Sequence, residues 1–121
     1  YESLQDVDSA LGTGAMVVIA EGTCMVNLLK RISRFYYAES CGQCTPCREG
    51  TGWLYRILDR ITNGEGMAND LALLEDVAGR IEGNTICAFG DASAWPVQSF
   101  IKHYHHEFEY MIKNKGKSAA A

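Results

Sequence analysis

Residues 40–50 read SCGQCTPCREG, three cysteines at two-residue intervals that run directly into a helical pattern. Cys41, Cys44 and Cys47 form C-x2-C-x2-C, and Cys87 follows only after residues 48–86, in the stretch NTICAFGD. Three thiolates on one tight loop and a fourth from a distant turn can close on the corners of a single 4Fe-4S cube, because such a loop reaches three irons and rarely wraps the fourth. Structural zinc is the rival. Zinc sites pair two C-x2-C knuckles from opposite sides, and a triplet spaced x2, x2 leaves the middle cysteine strained or spare. A disulfide framework fits worse: the cysteine count of five is odd, 47% hydrophobic content is enough for a core, and no feature signals secretion.

The segments on either side of the thiols carry helical periods. Upstream, Thr23 is placed to cap a helix with Met25, Leu28, Leu29, Ile32, Phe35 and Tyr36 on one side, ending near Glu39. Downstream, Thr45 and Pro46 suit the cap and first helical position of a second helix. Its buried stripe is Trp53, Leu54, Ile57, Leu58 and Ile61, and NGEG ends it. A third helix is expected from about Asp70 to Glu82 on the Leu71, Leu74, Val77, Ala78 and Ile81 face, with Gly83 just past its end. The fourth is expected to start near Pro96 and to carry Val97, Phe100, Ile101, Tyr104, Phe108, Met111 and Ile112. Before all of these, the β-branched run Met16 to Ile19 after a Gly-rich turn predicts one short strand. The fold class is therefore mainly α, a small four-helix bundle carrying the cysteines, with a strand in front.

Composition narrows the function. The formal charge is -4, from 11 basic against 15 acidic residues, and no basic stripe exists to follow a phosphate backbone, so nucleic acid is not an expected partner. The longest apolar run, Ala15 to Ala20, is far shorter than the roughly 20 residues that span a bilayer. The chain begins at Tyr1, and its first twenty residues differ in character from the rest, which suggests a piece of a longer polypeptide.

ESCGQCTPCREGTGW together with IEGNTICAFGDASAWPVQSFI closely resembles the C-terminal iron-sulfur domain of the NADH-binding flavoprotein subunit of respiratory complex I, the NADH:quinone oxidoreductase. Similar modules occur in NAD-reducing hydrogenases and formate dehydrogenases, but these tend to continue after the fourth cysteine with GxxAPNPV-like sequence, whereas AFGDASAWPV looks like the complex I form. The resemblance implies that Cys41, Cys44, Cys47 and Cys87 hold a 4Fe-4S cluster reduced by FMN, with FMN and NADH bound by an upstream glycine-rich domain. It implies a one-electron relay to the cluster chain of the oxidoreductase. The implied partners are that upstream domain, a thioredoxin-like 2Fe-2S subunit and a large multi-cluster subunit. The implied place is the peripheral arm, on the cytoplasmic face of a bacterial inner membrane or the matrix face of a mitochondrial one. It divides the chain into residues 1–22 as the end of a β-grasp domain with its linker, 23–114 as the helical 4Fe-4S domain, and 115–121 as a flexible tail. A zinc-stapled interaction bundle remains the competing class, separable by colour.

Around the ligands, Gly42 lets the backbone fold closely over sulfur, Arg48 adds positive charge or pairs structurally, and Cys47 falls in the first turn of a helix whose free N–H groups favour a negative cluster. Gln43, Thr45 and Ala88 are sequence neighbours of the ligands and candidates for further contacts. Trp95 is near enough to Cys87 in sequence to wall the cluster from water. Other features carry less. Gly12-Thr13-Gly14 lacks the third glycine of a dinucleotide loop and precedes a strand pattern. His103, His105 and His106 read as partly exposed or interface histidines ahead of a metal site, and Cys24 reads as a small buried hydrophobe.

Overall fold

The computed structural model describes residues 2–120. Its elements are α1 (Glu2–Gln5), α2 (Met25–Glu39), α3 (Thr45–Thr62), α4 (Asp70–Ile81) and α5 (Ala88–Lys113). Helices α2 to α5 form the expected bundle: α3 packs against α2, α4 and α5, and α5 also contacts α2 and α4. Short connections force neighbouring helices to run antiparallel, and their apolar faces meet in one core. Val26, Leu29, Leu58, Ile61, Leu74, Val97 and Phe108 are sealed from solvent there. Each such side chain contributes about 1.5–3 kcal/mol by burial.

Several local expectations are corrected. Among the described residues there is no strand, and residues 15–20 have no regular structure. Met16, Val17 and Val18 stand out in solvent, and a lone β-branched run without a neighbouring strand has nothing to pair its backbone. Thr23 does not cap α2: its hydroxyl donates to the Ala20 carbonyl at 2.7 Å, Cys24 occupies the cap position, and the Met25 N–H is met instead by Glu107 Oε2 from α5 at 3.3 Å. In α3 the cap is Cys44, with Thr45 already helical. The fourth bundle helix begins eight residues before Pro96; an interior proline removes one backbone donor and crowds the preceding turn, and burial of Ser93, Ala94, Val97 and Ile101 offsets that cost. Its one departure from helical geometry is at Tyr104, with φ -125° and ψ 27°. Trp53 and Phe35, expected in buried stripes, are each more than half exposed.

Two polar links fix the helix ends. Fully buried Asp70 takes the Arg60 guanidinium on both oxygens and the Met67 N–H on Oδ2 at 2.8 Å, anchoring the start of α4 to the end of α3. Breaking a pair of this kind from one side costs on the order of 3–5 kcal/mol. At the other end of α4, Gln98 donates to Glu82 at 2.9 Å and the Trp95 indole at 2.7 Å, and these bonds hold the Glu82 carboxyl below the usual carboxylate range. Trp95 is thereby committed to the α4–α5 joint.

Candidate metal centre

The loop between α2 and α3 and the turn between α4 and α5 meet at one end of the bundle. There a cavity of about 160 Å³ is lined by Cys41, Cys44, Cys47 and Cys87, together with Glu39, Ser40, Thr85, Phe89 and Gly90. The four cysteines named by spacing are thus brought to one place, and all are free thiols. Cys47 is buried, Cys44 half-buried, and Cys41 and Cys87 exposed, so the thiol set has an inner and an outer edge.

The volume bears on which group the thiols fit. A water-sized occupant needs only about 10–15 Å³. Among the described residues, no three His, Cys, Asp or Glu side chains converge closely enough to hold a single metal ion. Four thiols spread round a roomy cavity suit a multi-atom cluster better than one zinc ion.

Local electrostatics point the same way. Cys44 is the N-cap of α3 and Cys87 the N-cap of α5, and neither helix has a side-chain cap. Two sets of unpaired N–H groups and two positive dipole ends therefore converge on the thiols. The only acidic residue in either first turn, Asp91, is turned away to accept the Gly83 N–H at 2.8 Å. Sulfur receives specific donors as well: the Ile86 N–H reaches Cys44 Sγ at 3.4 Å, and the Ser40 hydroxyl lies 3.2 Å from Cys47 Sγ. Ser40 also accepts the Gly42 N–H at 3.3 Å, leaving its own proton free for sulfur.

Two glycines are required here. Gly42 has φ +81°, a conformation side chains resist, and its carbonyl accepts from Arg48 Nη1 at 2.8 Å. A Cβ on Gly90 would overlap the Thr85 side chain, displacing the turn that carries Ile86 and Cys87. Arg48 is a loop clamp, bonded also to Thr45 Oγ1 at 3.4 Å and paired with Glu49 at 3.1 Å, which reduces the free positive charge expected of it. Gln43 and Ala88 are exposed and absent from the cavity lining. The aromatic wall is Phe89, not Trp95, and it sits edge-on to Tyr36 with ring centres 5.1 Å apart. Ser40, Thr85, Phe89 and Gly90 are additions to the site that spacing does not single out. Phe89 and Gly90 lie in the first turn of α5, a turn that a helix starting at Pro96 leaves out. His105 pairs with Glu109 at 3.1 Å, and the three histidines form no metal group among the described residues.

The Ser40 contact gives a measurable expectation. With Cys47 as an iron ligand its thiolate could only accept, and Ser40 would donate, stabilising the more negative, reduced state. Ser40→Ala should lower the midpoint potential in an EPR-monitored redox titration at unchanged iron content, and Ser40→Thr should retain most of the original value. An unmoved or raised midpoint in the alanine variant contradicts the assignment.

A sequence model described as the NADH-ubiquinone oxidoreductase-F iron-sulfur binding region matches residues 27–111. The chain is 49% identical over 116 residues to the F subunit of the NADH-quinone oxidoreductase of Rickettsia typhi, covering 96% of this chain and 28% of that protein. It is 45% identical over 121 residues to an F subunit of the NADH-quinone oxidoreductase of Rhizobium meliloti, covering 100% and 28%. It is 50% identical over 113 residues to the mitochondrial NADH dehydrogenase [ubiquinone] flavoprotein 1 of Dictyostelium discoideum, covering 93% and 24%. The chain spans 24–28% of the length of these relatives.

Proposed function

Because this chain belongs to the NADH-ubiquinone oxidoreductase-F iron-sulfur binding region family, a 4Fe-4S family, we propose that it is the one-electron relay of an NADH:quinone oxidoreductase, with Cys41, Cys44, Cys47 and Cys87 as the cluster ligands. The observation carrying this reading is the convergence of those four thiols on one cavity at two uncapped helix N-termini. A bound 4Fe-4S cluster supplies reversible storage of a single electron. NADH gives up two electrons together as hydride, so a flavin upstream must divide them. In this reading the chain contributes placement and tuning. Cys47, Ser40 and Phe89 close the inner edge, while Cys41 and Cys87 leave an outer edge near the surface for electron exchange.

The donor is FMN, held with NADH in a preceding domain of the same polypeptide, to which residues 1–22 connect. Residues 23–114 form the cluster-bearing unit, and 115–121 are a tail. The acceptors are the carriers of a large multi-cluster subunit, with a thioredoxin-like 2Fe-2S subunit beside them. The assembly is the peripheral arm of a membrane complex, on its cytoplasmic or matrix side. Among the described residues no helix is long and apolar enough to cross a membrane.

Metal analysis of anaerobically prepared chain tests the cofactor. About four irons and four acid-labile sulfides per chain are expected, with brown colour and a paramagnetic reduced state. A colourless chain carrying one zinc overturns the reading.

A further inference from the structure

The outer face of α2 and α3 carries a cationic surplus that the cluster site does not use. Residues 25–62 hold six of the eleven Lys and Arg and only three of the fifteen Asp and Glu, in a chain whose overall charge is -4; Arg48 serves the cysteine loop and Arg60 is paired with Asp70, which leaves Lys30, Arg31, Arg34 and Arg56. An open groove of about 430 Å³ runs there, lined by Asn27, Lys30, Arg31, Arg34 and Tyr55. Lys30 is already engaged, 2.6 Å from Asp59 and donating to Thr62 at 3.1 Å. Arg31 and Arg34 have no carboxylate within ion-pair distance among the described residues, and neither has Arg56. Arg56 instead lies over the Tyr37 ring, 5.8 Å from its centre, and Tyr37 stacks on Tyr55 at 6.2 Å with 18° between planes. Arg31 and Arg34 thus share the groove with Tyr55, and a third arginine without an acidic partner, Arg56, covers the Tyr37 ring stacked on Tyr55.

We propose that this face docks an acidic segment of another protein. Arginine and tyrosine are the residues that interface centres concentrate, and a planar guanidinium pairs with carboxylates through two parallel bonds. Charge chooses the occupant: the surplus is cationic, so the complement is a stretch bearing several Asp or Glu. A free small anion fits less well, since the groove is open and exposed Arg31 and Arg34 leave such an ion in water. A nucleic acid would need a longer basic track than three arginines provide. This inference stands apart from the iron-sulfur reading and fails independently of it.

The test places the photoreactive residue p-benzoylphenylalanine at exposed position 27 of the full-length polypeptide in its own cells. Irradiation is followed by mass spectrometry of the crosslinked peptide. The expected product joins position 27 to an Asp/Glu-rich peptide of a different protein. The double variant R31E/R34E should cut its yield by about tenfold or more, at unchanged helicity and iron content. Should that variant not fold, the unsubstituted arginines serve instead: the yield should fall as salt rises in lysate irradiated at increasing ionic strength. A product with another copy of the chain, with nucleic acid, with the chain's own polypeptide or with a segment lacking acids overturns the proposal. So does the absence of any product, or a yield indifferent to charge reversal and to salt.

Discussion

Removal of iron and sulfide is expected to loosen one end of the bundle and leave the other intact. Cys41 and Cys87 belong to segments separated by α3 and α4, and the proposed common cluster would cross-link them. Closing a loop of that length costs about 3 kcal/mol in chain entropy, which the cluster bears when bound and the chain must bear when it is removed. The loop residues that carry Cys41 and Cys87 are otherwise held mainly by exposed bonds. The Arg48 bond to the Gly42 carbonyl, the Ile86 N–H on Cys44 and the Thr85 hydroxyl on the Cys87 carbonyl are all exposed, and Ile86 is 84% exposed. Amide exchange over residues 40–50 and 84–95 should therefore rise by about tenfold or more in the apo chain, a change equivalent to about 1.4 kcal/mol of local stability. Around Leu29 and Phe108, which are completely buried, it should move far less. Equal protection with and without iron contradicts this.

Cys44→Ala should abolish both iron binding and the reduced-state EPR signal, whereas Cys24→Ala should preserve them. Both cysteines stand at helix N-caps, so a general effect of capping cannot separate them. Position does. Cys44 lines the cavity and accepts the Ile86 N–H, while Cys24 is packed against the hydrophobic core through α2 and takes no part in the cavity lining. On the proposed ligand set, replacing Cys44 would leave an iron without its thiolate, and loss of the cluster would remove the cross-link between the two loops. If the two variants retain iron equally, the ligand assignment is wrong.

The bundle is legible because long 3.6-residue periods mark helices strongly, and the α2, α3 and α4 limits follow them closely. Legibility fails where local chemistry competes with tertiary packing. Pro96 reads as a helix start, yet the small residues of AFGDASA before it extend α5 back to Cys87, the position that puts a second helix N-terminus on the cavity. MVVI reads as a strand by β-branching alone, but pairing needs a partner that sequence periodicity does not supply. The four cysteines are found by spacing. Ser40 and Phe89 are not, because a hydroxyl aimed at sulfur and a ring closing a cavity depend on side-chain directions that spacing does not encode.

The proposed relay carries electrons and does not itself extract them from NADH. The most direct test is anaerobic visible and EPR spectroscopy of the iron-loaded chain, with dithionite or excess NADH as reductant. A 4Fe-4S cluster has no means of accepting hydride, and Gly12-Thr13-Gly14, the chain's nearest approach to a nucleotide loop, precedes an irregular exposed stretch and opens no helix. Reduction by dithionite and none by NADH is expected, with NADH becoming effective once the flavin-binding portion and FMN are joined to the chain. Reduction of the isolated chain by NADH alone would contradict it, since a hydride-accepting site would then lie within these residues.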